Sequence, residues 1–178
     1  MPTPLTAFTA PTIRLLSAHE WALYRAARLR ALTDSPDAFG STLASEQERT
    51  DDAWSTRLAL ACTSGKDHPL IAMQGEHVAG LVWGKVDSEN ADCVNVFQMW
   101  VAPESRGYGV GKQLLQAVID WARGRQARCL QLGVTCGDTP AMRLYLRAGF
   151  KPVGATEALR EGSALLSQTM QLRLTDER

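Results

Sequence analysis

The chain has 178 residues, of which 45% are hydrophobic, so it is long and apolar enough to bury the core of one domain. Its 19 basic residues balance 19 acidic ones, and its pI is about 6.8. This balance removes the overall electrostatic argument for a nucleic-acid or membrane-surface partner, and no apolar run approaches the roughly 18–20 residues that span a bilayer.

The N-terminal part is predicted to form one strand and two helices. "MPTPLTAFTAPTIRLL" lacks a basic start and a long apolar run, so it is not predicted to be a signal peptide, and residues 1–10 are expected to be a loose lead. "TIRLLS" has the composition of a short strand. Ser17 and Glu20 have the spacing of a capping box, which predicts a helix over about 18–32. A second helix is predicted over about 45–62.

The rest of the chain alternates strands with two helices. "LIAMQGEHVAGLVWGKV" predicts a hairpin that turns at Gly75, and "CVNVFQMWV" is apolar on nearly both faces, as in a central strand. The next helix has an inner stripe formed by Leu114, Leu115, Val118 and Ala122. After the strand "CLQLGV", Thr139 as N-cap and Pro140 begin a helix whose inner face holds Ala141, Leu144, Tyr145 and Ala148. "FKPVGA" and "ALLSQTMQLRL" are the last predicted strands. This order predicts a mixed α/β, α+β-like single domain over residues 1–178.

The cysteines and histidines show no pattern of a metal site or a disulfide framework. Cys62, Cys93, Cys129 and Cys136 have no CxxC spacing, and the three histidines are scattered. Cys93 and Cys129 lie in apolar runs, which favours buried free thiols. We therefore expect a cytoplasmic protein without a metal.

Three glycines at alternate positions, Gly107, Gly109 and Gly111, separate the central strand from the helix after it. A Walker loop needs four residues between its glycines and Ser or Thr after the lysine, but here there are three and Gln113 follows Lys112. A dinucleotide fingerprint has different glycine spacing and a later acidic residue, so it is only weakly supported. A glycine turn at a helix N-terminus can still hold an anion, and the sequence favours a pyrophosphate.

The segment "VAPESRGYGVGKQLL" resembles the acyl-coenzyme A signature of the GNAT superfamily of N-acetyltransferases, V-x-P-x-x-[RQ]-x-x-G-x-[GA]. The matching residues are Val101, Pro103, Arg106, Gly109 and Gly111. "AMRLYLRAGFKPVG" resembles a later element of that superfamily through Ala141, Leu144, Tyr145, Gly149 and Phe150. The resemblance implies a central, mostly antiparallel sheet of six to seven strands, with a splayed central pair and about four flanking helices.

The resemblance also implies the ligand and its site. Acetyl-CoA would lie between the splayed strands, with pantetheine paired to backbone of Met99 and Val101, and Tyr145 would protonate the departing thiolate. The residues assigned to the cofactor are Met99, Trp100, Val101, Arg106, Gly107, Tyr108, Gly109, Val110, Gly111, Lys112, Asp138 and Met142. Many members have Asn where Asp138 stands, so Asp138 either takes over that contact or caps the helix.

The general base is left open, because the strand before the signature offers only Asn95 and Gln98 where members often place Glu. We expect deprotonation through held water or through a loop acid, of which the nearest are Asp87, Glu89 and Asp92.

The implied reaction is acetyl transfer to a primary amine of a small molecule or peptide, by direct attack in a ternary complex. The acceptor site would form between the first helices and the later hairpins, with Trp21, Tyr24, Arg28, Arg30, Phe39 and Trp83 as candidates. The alternatives are a protein N-terminal or lysine acetyltransferase and a non-catalytic acyl-CoA-binding module. No nucleic acid or membrane partner is expected, and a homodimer is left open.

Overall fold

The computed structural model describes residues 9–174; the first eight residues of the expected lead lie outside this range. Five α-helices are present in that range, α1 to α5: Trp21–Asp34, Leu43–Gln47, Asp51–Thr63, Val110–Gly124 and Pro140–Arg147. Eight strands, β1 to β8, are Thr12–Leu15, Asp67–Gln74, His77–Val86, Cys93–Val101, Cys129–Thr135, Lys151–Pro152, Glu157–Ala158 and Leu166–Arg173. No helix within residues 9–174 is long and apolar enough to cross a membrane.

The strands form one sheet in the order β1-β2-β3-β4-β5-β8-β6, with β7 also paired to β8. Every neighbouring pair is antiparallel except β4 and β5, which run parallel. The hairpin between β2 and β3 turns at Gly75, whose φ of 62° is one that glycine adopts without steric cost. This arrangement confirms the mixed α/β class with a mostly antiparallel sheet.

Helices cover both faces of the sheet. Successive residues of a strand point to opposite faces, so neighbouring strand residues pack against different helices. In β2, Ala72 packs in the core that includes the buried stripe of α4, whereas its neighbour Ile71 packs with Trp54 and Leu58 of α3. Tyr145 of α5 belongs to the same core as α4. Helices α4 and α5 therefore lie on one face of the sheet, and α1 and α3 lie on the other.

The element predictions hold except in counts and boundaries. The second predicted helix is two helices, since α2 ends at Gln47 and Thr50 adopts an extended conformation, capping α3 by accepting from Ala53 N–H at 3.1 Å. The strand count rises to eight because β7, of two residues, was not predicted, and the predicted strand "FKPVGA" is reduced to the two residues of β6. Thr139 caps α5 as predicted, accepting from Met142 N–H at 3.1 Å.

The prediction of free thiols at Cys93 and Cys129 is wrong, because a disulfide joins them. Both side chains are buried as expected. Since β4 and β5 pair in parallel with these two residues directly opposite, their Cα atoms are 4.7 Å apart, within the range a disulfide bridges. Cys62 and Cys136 are free.

Candidate active site

A gap opens between β4 and β5 because their pairing ends early. Backbone register continues only from Cys93 opposite Cys129 to Asn95 opposite Gln131, while β5 stays paired to β8 along its whole length. At this last paired position, Asp87 accepts from Asn95 Nδ2 at 2.8 Å and from Gln131 Nε2 at 3.2 Å. The remaining residues of β4 therefore face β5 across an open wedge, the splayed pair implied by the sequence.

The glycine loop lies where β4 meets α4, and it explains two of the three alternate glycines by backbone conformation. Gly107 and Gly109 have φ values of 83° and 79°, in the left-handed region. Gly109 is the N-cap of α4 and supplies no side-chain cap, so the first N–H groups of the helix lack intrahelical partners. Gly111 is helical; a Cβ built on it would lie 3.4 Å from both Leu144 and Val101. This helix start is suited to an anion.

Arg106 borders this loop but its charge is already paired. Its Nη2 donates to Asp34 at the end of α1, and its Nε donates to the Val101 carbonyl at 3.1 Å. Asp34 also accepts from Trp100 Nε1 at 3.0 Å. Val101, whose backbone was predicted to pair with pantetheine, thus already accepts one hydrogen bond at its carbonyl, and Arg106 links the loop to α1.

A groove of about 1310 Å³ runs along the glycine loop, the start of α4, the open wedge and α5. Ten of the residues predicted for the site line it: Met99, Trp100, Val101, Arg106, Gly107, Gly109, Val110, Gly111, Lys112 and Tyr145. Three do not line it: Tyr108, Asp138 and Met142. Asp138 is exposed and accepts from Arg143 Nε at 2.7 Å, and Thr139 supplies the helix cap, so the capping role considered for Asp138 is not seen; its contact with the cofactor stays a prediction.

Beside the predicted Lys112, the groove contains three cations that the sequence analysis missed, Arg123, Arg147 and Arg173. Lys112, Arg123, Arg147 and Arg173 all line it, and none forms an ion pair with another residue in the range 9–174. The helical face of α5 predicted to pack inward (Ala141, Leu144, Tyr145, Ala148) borders the groove, and Arg147 extends it. The helical spacing of Arg147 from Leu144 is the sequence signal that could have identified this residue. These unpaired cations suit a ligand with several phosphates.

A second cavity, of about 810 Å³, meets the groove at the wedge. The residues common to both linings are Ala38, Phe39, Met99, Gly133 and Tyr145. Met99 and Gly133 belong to the two splayed strands, so the two cavities adjoin at the gap between β4 and β5.

Of the six candidate acceptor residues, Arg28, Phe39 and Trp83 line the second cavity. Tyr24 is fully buried in the core with Trp54 and does not line it. Trp21 packs at the edge of the same core, and Arg30 is exposed in an ion pair with Glu104. The structure thus distinguishes the three candidates that line the second cavity from the three that do not, a distinction that the sequence does not give.

We call the place where the two cavities share lining residues the junction. Of these shared residues, Tyr145 is the one whose side chain carries an ionisable proton. Its side chain is 5% exposed, packs against Phe150, and borders both cavities. No other residue in the range 9–174 forms a hydrogen bond with its hydroxyl. Burial raises the pKa of Tyr145 above its ordinary value, which keeps the phenol protonated.

No carboxylate that lines the second cavity is free of hydrogen bonds among the residues described, whereas the exposed Asp37 lines the groove with no side-chain partner. The three loop acids, Asp87, Glu89 and Asp92, line neither cavity. Asp67 lines the second cavity, but it accepts from Trp83 Nε1 at 2.9 Å and from Ser64 Oγ at 2.7 Å. No group of three or more His, Cys, Asp or Glu side chains in this range could hold a metal ion.

A sequence profile decides the family of this chain. The profile described as "Acetyltransferase (GNAT) family" matches residues 29–150, which span α1 to α5, the glycine loop and Tyr145. The chain belongs to the GNAT acetyltransferase family.

Relatives within this family are distant. Streptothricin acetyltransferase from Streptomyces lavendulae is 44% identical over 64 residues, 36% of this chain and 34% of the relative. Mycothiol acetyltransferase from Clavibacter sepedonicus is 30% identical over 147 residues, 83% of this chain. The chain thus spans only 42% of the length of that mycothiol enzyme. The structure of yncA from Salmonella typhimurium, described with its cofactor acetyl-CoA, superposes with a TM-score of 0.75 at 21% identity over 96% of this chain and 97% of its own, which supports the fold.

Proposed function

We propose that this GNAT acetyltransferase moves an acetyl group from acetyl-CoA to a primary amine of a small molecule or peptide, by direct attack in a ternary complex. The observation that carries this proposal is the position of Tyr145, whose side chain borders both cavities at the open wedge. One cavity would hold the donor while the other holds the acceptor, so the two substrates can be present together.

The groove along the glycine loop is the proposed acetyl-CoA site. The start of α4 and the unpaired Lys112 and Arg147 would hold the phosphates of coenzyme A. Pantetheine would follow β4, where backbone beyond Asn95 has no partner on β5. Since the Val101 carbonyl accepts from Arg106, this part of the contact falls to the remaining backbone groups of the strand.

In the proposed reaction the free amine attacks the thioester carbon and forms a C–N bond, which gives a tetrahedral intermediate. The C–S bond then breaks, the electron pair leaves with sulfur, and the Tyr145 hydroxyl donates its proton to the departing thiolate. The attached nitrogen loses one proton as the amide forms, and this proton, carried by water, restores the Tyr145 hydroxyl. Because the one carboxylate of the second cavity, Asp67, already accepts two hydrogen bonds, the ammonium group of the acceptor is expected to lose its proton, before attack, through water held by polar groups of this cavity, such as Gln98 and Ser167.

The names of the relatives support a small-molecule acceptor, since streptothricin and mycothiol are small molecules. The test is the release of coenzyme A thiol from acetyl-CoA with a panel of amines, together with detection of the acetylated product. Tyr145→Phe should lower kcat by about 100-fold or more and leave the Kd for acetyl-CoA within about twofold. The control is Thr33→Val, which removes a hydroxyl from an exposed residue of α1 that lines neither cavity and should retain wild-type kcat.

Two results would contradict the proposal. Wild-type kcat in Tyr145→Phe would remove this residue from proton transfer. Tight binding of acetyl-CoA without thiol release for any amine would indicate a non-catalytic acyl-CoA-binding module instead.

A further inference from the structure

The second cavity has an unneutralised positive charge at Arg28. This arginine of α1 lines the cavity and is 3% exposed, yet its Nε and Nη1 atoms have no hydrogen-bond partner. Its guanidinium lies over the Phe39 ring, 4.7 Å from the ring centroid, so the group is held in place by packing. A buried cation without a partner is costly, and its retention needs a reason.

The nearest acids do not neutralise Arg28. Glu46 is buried, but its carboxylate accepts from Arg49 Nε at 2.7 Å and lies 3.6 Å from Arg57 Nη1. Burial lowers the pKa of Arg28, and the nearby charge of Glu46 does not offset this effect. No ion pair joins Arg28 to any residue in the range 9–174.

The other charged residues of the cavity lining are mostly positive, although Arg57 also lies 3.6 Å from the Glu46 carboxylate. Arg57 and Lys85 line it together with Arg28, and Asp67 is the one acid among the lining residues. Both Asp67 oxygens accept hydrogen bonds, from Trp83 Nε1 and Ser64 Oγ. A site with three cations and one occupied carboxylate disfavours an acceptor that carries only positive charge.

We propose that the acceptor carries a carboxylate as well as its amine, and that Arg28, with Arg57, binds this carboxylate while the amine points to the wedge beside Tyr145. This inference rests on the proposed acetyl transfer to an amine. The aromatic and aliphatic walls of the cavity, among them Phe97, Leu60 and Leu159, would contact an apolar side chain. The substrate class is therefore an apolar amino acid or a close analogue, whose carboxylate matches the planar guanidinium.

The test compares amino acids with their carboxamides as acceptors. The probes are L-methionine, L-leucine and L-phenylalanine, each against its own carboxamide, with kcat/KM measured by thiol release. The wild type should prefer the carboxylate by about 10- to 100-fold, the range of a hydrogen-bonded charge pair. Arg28→Gln should bring this ratio close to one. Replacing the carboxylate by a carboxamide also changes the pKa of the amine. The ratio of kcat/KM for the amino acid to kcat/KM for its carboxamide is therefore compared between the wild type and Arg28→Gln.

The matched control is Arg30→Gln, which removes a guanidinium from the exposed side of the same helix and should keep the wild-type preference. If Arg28→Gln does not fold, Arg28→Lys keeps the charge without the planar fork and should retain a reduced preference. An equal ratio in the wild type, or a preference that survives in Arg28→Gln, would overturn the inference.

A binding experiment separates failure of the inference from failure of the proposed reaction. Calorimetry of the coenzyme A-bound protein gives Kd for the same probes without any chemistry. Carboxylate binding that is weakened about 10-fold or more in Arg28→Gln, without thiol release, would support the anion site and contradict the transferase. Thiol release with amines that lack a carboxylate, and no binding of any amino acid at millimolar concentration, would support the transferase and overturn the anion site.

Discussion

The Tyr24 hydroxyl donates to Gln98 Oε1 at 2.8 Å, and Gln98 has a φ of 57°, in the left-handed region. Gln98 lies in the irregular part of β4, where the register with β3 shifts between Leu81 and Trp83. A residue other than glycine in this conformation costs free energy, so the surrounding structure has to enforce it. The buried tyrosine of α1 thus helps to fix the bulge that turns the next residue, Met99, to the junction of the two cavities.

Two substitutions of Gln98 separate the stabilising effect of its hydrogen bond with Tyr24 from the cost of its left-handed backbone conformation. Gln98→Ala should lower the free energy of unfolding by about 1–3 kcal/mol, because the Tyr24 hydroxyl is left buried without its partner. Gln98→Gly should cost less than Gln98→Ala, since glycine adopts the same φ without a Cβ penalty. Urea unfolding measures both; an alanine variant more stable than the glycine variant would argue against strain at this position.

The glycine loop gives a second comparison. Gly109→Ala should lower the free energy of unfolding by about 1–2 kcal/mol and weaken acetyl-CoA binding, because Gly109 has a φ of 79° at the start of α4. Gly124→Ala, at the other end of the same helix, has no such φ and nothing within 4 Å of an added Cβ. It should be neutral or stabilise by up to about 1 kcal/mol. Equal effects of both changes on acetyl-CoA affinity would contradict a role for the loop conformation.

Some features of the site could be predicted from the sequence, and others depend on contacts between distant parts of the chain. Gly107, Gly109 and Tyr145 were identifiable because their patterns are local in the chain and belong to family motifs. The left-handed Gln98 was not, since its conformation depends on a tyrosine 74 residues away. The Cys93–Cys129 pair required the parallel register of β4 and β5, which spacing does not give. Arg28 could be named as one of six candidates, but its missing partner is visible only when all neighbours are placed.

Asp34 is expected to stabilise the fold more than the exposed acid Glu104. Burial alone would raise the pKa of Asp34, but hydrogen bonds from Trp100, Ser35 and Arg106 outweigh it and hold the pKa below the usual carboxyl value. Asp34→Asn should cost about 1–2 kcal/mol at neutral pH. Glu104→Gln, which loses a surface pair with Arg30, should cost about 0.5 kcal/mol or less.

The pH dependence of the Asp34 effect follows from the direction of its shift. A carboxyl group with a lowered pKa in the folded state stabilises the protein above its unfolded value, about 3.9, and loses this effect as pH falls through the folded value. The difference in unfolding free energy between wild type and Asp34→Asn should therefore be constant above about pH 5 and shrink toward acid. Acid titrations of both proteins, followed by circular dichroism, measure it; a difference that grows on acidification would show the opposite shift.

The raised pKa of Tyr145 gives a prediction for the rate at alkaline pH. An exposed tyrosine loses its proton near pH 10, whereas burial keeps Tyr145 protonated beyond that value. The kcat of acetyl transfer should therefore show no basic limb up to about pH 9.5, with acetyl-CoA hydrolysis subtracted. A decline with an apparent pKa near 9 that is absent in Tyr145→Phe would mean that the phenol is not shielded in the way the structure indicates.

The Cys93–Cys129 disulfide lies at the closed end of the wedge, where β4 and β5 are still paired. Thiol titration of the unfolded, unreduced protein should find two thiols, Cys62 and Cys136, and four after reduction. Because the bond closes a loop with a sequence separation of 36, reduction should lower the free energy of unfolding by about 3–4 kcal/mol in the chain-entropy description. The double variant Cys93→Ala/Cys129→Ala should then be insensitive to reductant, while Cys62→Ala/Cys136→Ala should respond like the wild type. Four titratable thiols before reduction would contradict the bond, and acetyl-CoA affinity that collapses on reduction would show that the open end of the wedge depends on its closed end.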